Sequence, residues 1–291
     1  MSKIEDALNK AKAARSHSLV RAPDSEHRKQ DNVKQLIPSF ADDRQVGRQS
    51  SSKEISLIDN GEILESKELS ELKIIYSDMS DNKIANTYRD LRTKLIQKSQ
   101  GKNFIAMITS CVPGNDSGMT SLNIATAFSF DESKTSLLID CNLNNPKLDS
   151  LLKMEADKGL TDYLDNESIK IETIMHKTGI KRLKMIPAGT ARETAIEYFT
   201  SMRMRDLMSS LLSRYSDRYI FLDTAPITES ADTKILAELC DFMILVVPYG
   251  TTTKKKLKET IDSIGSNKLI GVVFNNTPKL PTKLISKIFN S

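Results

Sequence analysis

Cysteine is scarce in this sequence: there are three among 291 residues, and Cys111, Cys141 and Cys240 lie in or beside apolar runs. They show no C-x-x-C spacing, which favours buried thiols in a reducing compartment over a disulfide framework or a zinc site. The three histidines, at positions 17, 27 and 176, are far apart and have no clustered ligands around them. The sequence therefore predicts no metal cage built from these residue types.

Long hydrophobic runs are also missing. No stretch approaches the roughly 18 uninterrupted apolar residues that a membrane-spanning helix needs. The N-terminal stretch "MSKIEDALNKAKAARSHS" contains acidic side chains and no apolar segment, so it does not read as a secretory signal. We therefore expect a cytoplasmic protein, and one that reaches a membrane only through a partner.

The chain has no strong excess of charge of either sign. Its 42 basic and 38 acidic residues leave a formal net charge of +4, which is a small difference between two large numbers. A surface of mixed charge gives little attraction for a polyanion, so we expect no nucleic-acid partner.

Residues 1–80 differ in composition from the rest of the chain. Apolar residues at helical spacing predict a short amphipathic helix over residues 4–15, which is either a tethered docking peptide or a frayed chain end. From residue 17 to about residue 80, Ser, Asp, Lys, Gln and Asn dominate. Such a composition buries too little apolar surface to offset the entropy of chain ordering, so it predicts a mostly disordered linker.

In residues 81–291, apolar runs instead alternate with amphipathic helical stretches. The first of these stretches predicts a helix with Ile84 on its apolar face. The predicted strands are residues 104–110, 135–140, 182–187, 219–224, 242–248 and 269–275. The predicted helices between and after them include residues 121–130, 172–177, 201–214, 231–239 and 254–264. Continuously apolar strands separated by helices indicate an α/β fold, a three-layer α/β/α domain with a mostly parallel, doubly wound sheet.

The first candidate functional loop follows the first predicted strand and reads "SCVPGNDSGMTS". A strand, a glycine-containing loop and a helix in this order are the context of a phosphate-binding loop. Gly114 and Gly118 permit a tight turn with exposed amides, or they merely close a turn between strand and helix. Thr120 or Ser121 offers a hydroxyl to Mg²⁺.

Two further loops begin with a carboxylate at the end of an apolar strand. Asp140 ends "LLID", and Asp223 lies in "FLDTAP". In a parallel sheet the functional side chains lie at the carboxyl ends of the strands, where such carboxylates orient Mg²⁺ or its bound waters. The alternative is that both aspartates cap the strand ends and bind no ligand.

Several fragments together resemble one family. In chain order, they are the loop above, "LLID" with a following proline, "KGLTDYL", "LKMIPAG", "SRYSDRYIFLDTAPI", "SADTKILAELCDFMILVV" and "GVVFNN". Over residues 82–276 this order and spacing resembles the cytoplasmic domain of the bacterial tyrosine kinases (BY-kinases). These belong to the MinD-like branch of P-loop proteins, and they assist capsule and exopolysaccharide assembly.

The resemblance implies a set of roles. Asp140 and Asp223 would hold Mg²⁺ and assist phosphoryl transfer from ATP, which the P-loop would bind. Arg89 and Arg92 match the two arginines of a helix that builds a ring-shaped homo-oligomer in the family. The implied partner is an inner-membrane chain-length determinant (co-polymerase) protein, which would hold this chain at the inner face of the plasma membrane.

The match is incomplete where the family does its chemistry. Met119 takes the place assigned to the P-loop lysine, and no Lys or Arg occurs between Lys102 and Lys134. Asn142 replaces the second aspartate after the second strand, and no tyrosine follows Tyr249, although the family's phosphate acceptor is a tyrosine-rich tail. ATP or ADP with Mg²⁺ should therefore bind weakly or not at all.

The leading hypothesis is a degenerate relative of the BY-kinases that regulates or scaffolds a polysaccharide polymerisation and export complex, with weak or no catalysis. A second hypothesis is an active tyrosine autokinase that controls polysaccharide chain length. Its acceptor tyrosines would belong to a partner or to this chain, at Tyr163, Tyr198, Tyr215 or Tyr219. A third is a MinD-like ATPase switch.

Overall fold

The computed structural model describes residues 62–79, 82–112, 117–131, 133–214, 217–264 and 267–276. The predicted helix over residues 4–15, the linker up to residue 61, Gly114 and Tyr215 lie outside these ranges.

Seven strands form one sheet. They are β1 (Ile105–Ser110), β2 (Thr135–Asp140), β3 (His176–Lys177), β4 (Leu183–Ile186), β5 (Arg218–Asp223), β6 (Phe242–Pro248) and β7 (Leu269–Asn275). Their order across the sheet is β3-β4-β2-β5-β1-β6-β7, and β3–β4 is the antiparallel pair among otherwise parallel neighbours. Strands β1, β2 and β5 are buried along their whole length, which explains their unbroken apolar character.

Helices connect the strands. Those in the described residues are α1 (Ser66–Glu71), α2 (Asn82–Lys98), α3 (Gly118–Ser129), α4 (Leu148–Leu151), α5 (Leu160–Asp165), α6 (Ile171–Ile174), α7 (Ile196–Thr200), α8 (Met202–Arg214), α9 (Ala231–Glu238) and α10 (Lys254–Ile264). The chain runs from β1 across β5 to β2 through α3, and from β5 across β1 to β6 through α9. Right-handed crossovers in opposite directions place these two helices on opposite faces, so the three-layer α/β/α fold is confirmed.

The core beneath α3 is aromatic. Phe104 precedes β1, Phe128 lies near the end of α3, and Tyr219 and Phe221 come from β5. The ring centroids of Phe104 and Tyr219 are 4.9 Å apart, and those of Phe128 and Phe221 are 5.0 Å apart. Such contacts add about 0.5–1.5 kcal/mol per pair to the burial of each ring, and they fix α3 over the centre of the sheet.

An N-terminal arm, residues 62–79, packs on the domain. Leu69 is buried, and Ile74 and Ile75 are each 1% exposed. The mostly disordered linker expected up to residue 80 is therefore not found at residues 62–79, which pack on the domain, whereas the domain boundary near residue 81 stays a prediction. Two adjacent isoleucines in a polar context gave no periodic signal, and their burial depends on contacts with α3 that are distant in sequence.

Two other local expectations differ from the structure. The helix expected over residues 172–177 ends at Ile174, because residues 176 and 177 form β3 against β4. Ile84, expected on the apolar face of α2, is 53% exposed, and Ala85 is buried in its place. The helix is thus rotated so that a small side chain approaches the domain.

Candidate functional site

The candidate site lies at the carboxyl ends of β2, β5 and β1, which are neighbours in the sheet. Asp140 and Asp223 end β2 and β5 and are direct partners in the register of these two strands. The amide of Thr224 donates to the carbonyl of Ile108 in β1, at 3.1 Å. The predicted phosphate-binding loop follows β1, so the fold brings the two carboxylates and the start of α3 to one edge.

Asp223 is 3% exposed and is hydrogen-bonded to two serines, one directly before α3 and one in its first turn. Ser117 Oγ and Ser121 Oγ both donate to Asp223 Oδ1, at 2.6 and 2.7 Å. Ser117 Oγ is also 3.4 Å from the carbonyl oxygen of Thr224. The sequence pattern indicated Ser121 but not Ser117, although a serine directly before a helix and four residues before Ser121 is a usable signal.

Asp140 is 1% exposed and organises the loop that follows β2. Its Oδ1 accepts the amide of Asn142 at 3.0 Å, and its Oδ2 accepts the amides of Lys147 and Leu148 at 3.2 and 3.1 Å. Leu148 begins α4, so this carboxylate closes the loop and satisfies an amide at a helix start. These contacts match the strand-end cap that the sequence left open as an alternative.

The pKa of Asp140 is raised by its environment. Burial raises the pKa to about 6, the three backbone amides act against this, and the negative charge of Asp149 adds to it. A carboxyl group with this pKa is mainly ionised at neutral pH but becomes protonated in mild acid.

Thr120 and Met119, in the first turn of α3, have contacts with other parts of the chain. The hydroxyls of Thr120 and Tyr88 are hydrogen-bonded, which partly offsets the rise that burial causes in the pKa of Tyr88. The carbonyl of Met119 accepts Asn123 Nδ2 at 2.9 Å. The contact that the structure gives the Thr120 hydroxyl is to Tyr88, and the magnesium role of Thr120 stays a prediction.

Gly118 is buried and begins α3, but the loop residues before Ser117 are outside the described part of the chain. The helix thus starts three residues before the expected residue 121, and Gly118 lies in its first turn and not in the loop. The role of Gly118 and Ser121 in cofactor binding stays a prediction.

Arg89 and Arg92 are both engaged within the chain. Arg89 Nη2 donates to the carbonyl of Ser77 in the N-terminal arm at 2.8 Å. Arg92 Nη1 donates to the carbonyl of Ala127 at 2.8 Å, close to the end of α3. Their predicted part in an oligomer stays a prediction, and the structure gives each an intramolecular role.

The tyrosines considered as acceptors differ in access. Tyr163 and Tyr219 are buried. The hydroxyl of Tyr198 accepts Arg192 Nε at 2.9 Å. Of the three that the structure describes, Tyr198 is therefore the one with a partly accessible side chain.

The site is a poor fit for a magnesium-bound nucleotide. Asp140 and Asp223 are both satisfied by donors of their own chain, and residues 103–133 contain no lysine or arginine to face a phosphate. In the described part of the chain, no group of three or more His, Cys, Asp or Glu residues could hold a metal ion.

The described residues also contain no helix long and apolar enough to cross a membrane.

Comparison with known proteins identifies relatives over most of the domain. No family model matches the chain. It is 30% identical over 202 residues to the tyrosine-protein kinase YwqD of Bacillus subtilis, covering 68% of this chain and 84% of the relative. It is 32% identical over 208 residues to the tyrosine-protein kinase CpsD of Streptococcus pneumoniae, covering 70% and 89%.

A solved structure shows the same fold. The chimerical protein CapA2B2 superposes with a TM-score of 0.63 at 22% identity, covering 78% of this chain and 98% of that one. The two kinase relatives and the site geometry at the ends of β1, β2 and β5 lead to one conclusion. This chain belongs to the family of bacterial tyrosine kinases, the BY-kinases.

Proposed function

We propose that this chain is a BY-kinase relative with weak or no phosphoryl transfer, which regulates or scaffolds an exopolysaccharide or capsule assembly complex. The observation that supports the proposal is that the chain itself supplies the hydrogen-bond donors to Asp223. Its carboxylate accepts two short hydrogen bonds from Ser117 and Ser121, and no cationic side chain occurs in the loop or in α3.

The free energy lost with the missing P-loop cation supports weak binding of nucleotide. A hydrogen bond to a charged group contributes about 1.5–3 kcal/mol, so absence of the cation lowers phosphate affinity roughly ten- to a hundredfold. Transfer suffers more than binding, because such clamps act chiefly on charge that develops in the transition state. The replacement of an aspartate by Asn142 removes a further negative charge for Mg²⁺.

The proposed partner is an inner-membrane polysaccharide chain-length determinant protein, through which this chain would act at the cytoplasmic face of the membrane. Membership of the BY-kinase family supports this partner. A regulatory subunit needs the fold and the partner surface of the family, but it does not need the phosphate-binding cation.

The test compares wild type with Asp223→Asn. We expect that the purified full chain, incubated with Mg-ATP and the cytoplasmic segment of the chain-length determinant, gives no more phosphotyrosine than Asp223→Asn. Both should bind that segment, and both should restore polysaccharide chain length in a strain that lacks this protein. Phosphotyrosine that forms with wild type and disappears in Asp223→Asn would contradict the proposal.

Family membership also favours a second candidate, an active autokinase that borrows a cation from its partner. The register pairing of Asp140 and Asp223 is compatible with it, because two carboxylates remain at one edge. It requires tight Mg-ATP binding once the partner is present. Calorimetry that detects no binding with the partner segment present would exclude this candidate.

A further inference from the structure

Ser117, Ser121 and Asp223 form a buried cluster at the start of α3. Ser117 is 3% exposed and Ser121 is fully buried. Both hydroxyls reach the same carboxylate oxygen, at 2.6 and 2.7 Å, and hydrogen bonds of this length to an ionised acceptor are among the stronger ones. Asp223 thus has donors from its own chain at the position where the family implies a metal ion.

Helix geometry decides which side chains share this position. Ser117 already has helical backbone angles, φ −75° and ψ −18°, so it belongs to the same regular turn as Ser121. Residues four apart lie on one face of a helix, whereas Met119 is about 200° from Ser117 around the axis.

Two other polar side chains of α3 have a different set of contacts. Thr120 bonds Tyr88 of α2, and Asn123 accepts the amide of Ile75 at 2.8 Å and donates to the carbonyl of Lys73 at 3.2 Å. Met119 is one turn before Asn123, whose Nδ2 donates to the carbonyl of Met119 at 2.9 Å, so the two residues lie on the same face of α3. A cation at position 119 would therefore project towards the N-terminal arm, which Asn123 contacts, and away from Asp223.

We propose that Ser117, supported by Ser121, is the residue that determines how this chain responds to nucleotide. The serine pair takes the place of magnesium and of the phosphate-binding cation at Asp223, and it keeps the start of α3 folded without either. A cationic side chain has to be at position 117, and not at position 119, to bind a phosphate group of the nucleotide. This inference rests on the function proposed above.

The first test is a titration of the full chain with Mg-ADP and Mg-ATP. We compare wild type, Ser117→Lys and Met119→Lys, a matched pair that adds the same charge to opposite faces of α3. We expect Ser117→Lys to bind roughly tenfold tighter than wild type or more, and Met119→Lys to bind like wild type. An equal or larger gain in Met119→Lys overturns the proposal, and so does a folded Ser117→Lys without a gain.

The second test does not depend on the folding of a lysine variant. The thermal unfolding midpoint is measured in EDTA and in millimolar MgCl₂ for wild type, for Ser117→Ala/Ser121→Ala, and for Ser129→Ala. Ser129 is a buried serine at the other end of α3, where it bonds the carbonyl of Thr126. We expect a magnesium-dependent rise in the double variant alone, because its carboxylate has lost both hydroxyls.

An equal response to magnesium in all three proteins, or none in the double variant, overturns the proposal. These outcomes are separate from a failure of the proposed function, which would show as tyrosine phosphorylation by wild type itself. The comparison between positions 117 and 119 keeps its meaning in either case.

Discussion

At the residue scale, Asp140 shows how burial changes the pKa and the structural role of a carboxyl group. Three backbone amides of its own loop hold both oxygens, and burial still keeps its pKa near 6. The loop after β2 is therefore stabilised by a group that gains a proton in mild acid. In a site that had to bind Mg²⁺ at neutral pH, the same group would have to give up these contacts.

The raised pKa of Asp140 predicts a pH-dependent contribution to stability. Because the folded pKa lies above the unfolded value of about 3.9, the folded state binds the proton more tightly, and this stabilisation fades as pH rises through 6. Asp140→Asn should therefore cost more stability at pH 4.5 than at pH 7.5, with a difference of about 2 kcal/mol. Urea unfolding of both proteins at both pH values measures it, and equal costs would argue against the shift.

Arg92 leads to a second prediction at this scale. Its guanidinium donates to the carbonyl of Ala127 near the C-terminal end of α3, where a cation also interacts favourably with the helix dipole. We expect Arg92→Ala to lower the free energy of unfolding by about 1–3 kcal/mol. Lys94→Ala, at an exposed position two residues later, should change it by less than about 0.5 kcal/mol. Equal effects in the two variants would mean that Arg92 is free for an oligomer contact.

At the element scale, sequence reasoning worked best where one principle dominates. Strands β2, β6 and β7 and helix α10 have the predicted limits, because buried parallel strands are continuously apolar and the helices between them are amphipathic. It failed for the N-terminal arm and for β3, which depend on partners distant in sequence. In the site, the positions of Asp140 and Asp223 followed from the strand ends, whereas the contact of Ser117 with Asp223 depends on how α3 is rotated.

The contact between the N-terminal arm and α3 depends on Asn123. Its side chain accepts the amide of Ile75 and donates to the carbonyl of Lys73, so one amide group satisfies two backbone groups of the arm. Asn123→Ala should destabilise the domain by about 1–3 kcal/mol and speed hydrogen exchange at the amide of Ile75. Asn145→Ala, in an exposed loop position, serves as the control. Unchanged exchange at Ile75 would show that burial alone holds the arm.

At the scale of the whole molecule, the arm packs on the domain, and the extent of the domain can be tested by truncation. Leu69, Ile74 and Ile75 are buried against the domain, and full burial of one such side chain contributes about 1.5–3 kcal/mol. A chain that begins at residue 62 keeps these contacts, whereas one that begins at residue 81 exposes the surface they cover. We expect the shorter chain to unfold at lower urea concentration, or to aggregate.

The comparison needs a control for the loss of chain length itself. Leu69→Ala/Ile74→Ala in the full chain removes apolar contacts of the arm and keeps every backbone bond, so it should reproduce much of the loss in urea midpoint. If the chain from residue 81 unfolds at the same urea concentration as the chain from residue 62, the arm is an attachment to the domain and not part of its core. The predicted boundary near residue 81 would then describe the folding unit, although the arm packs on its surface.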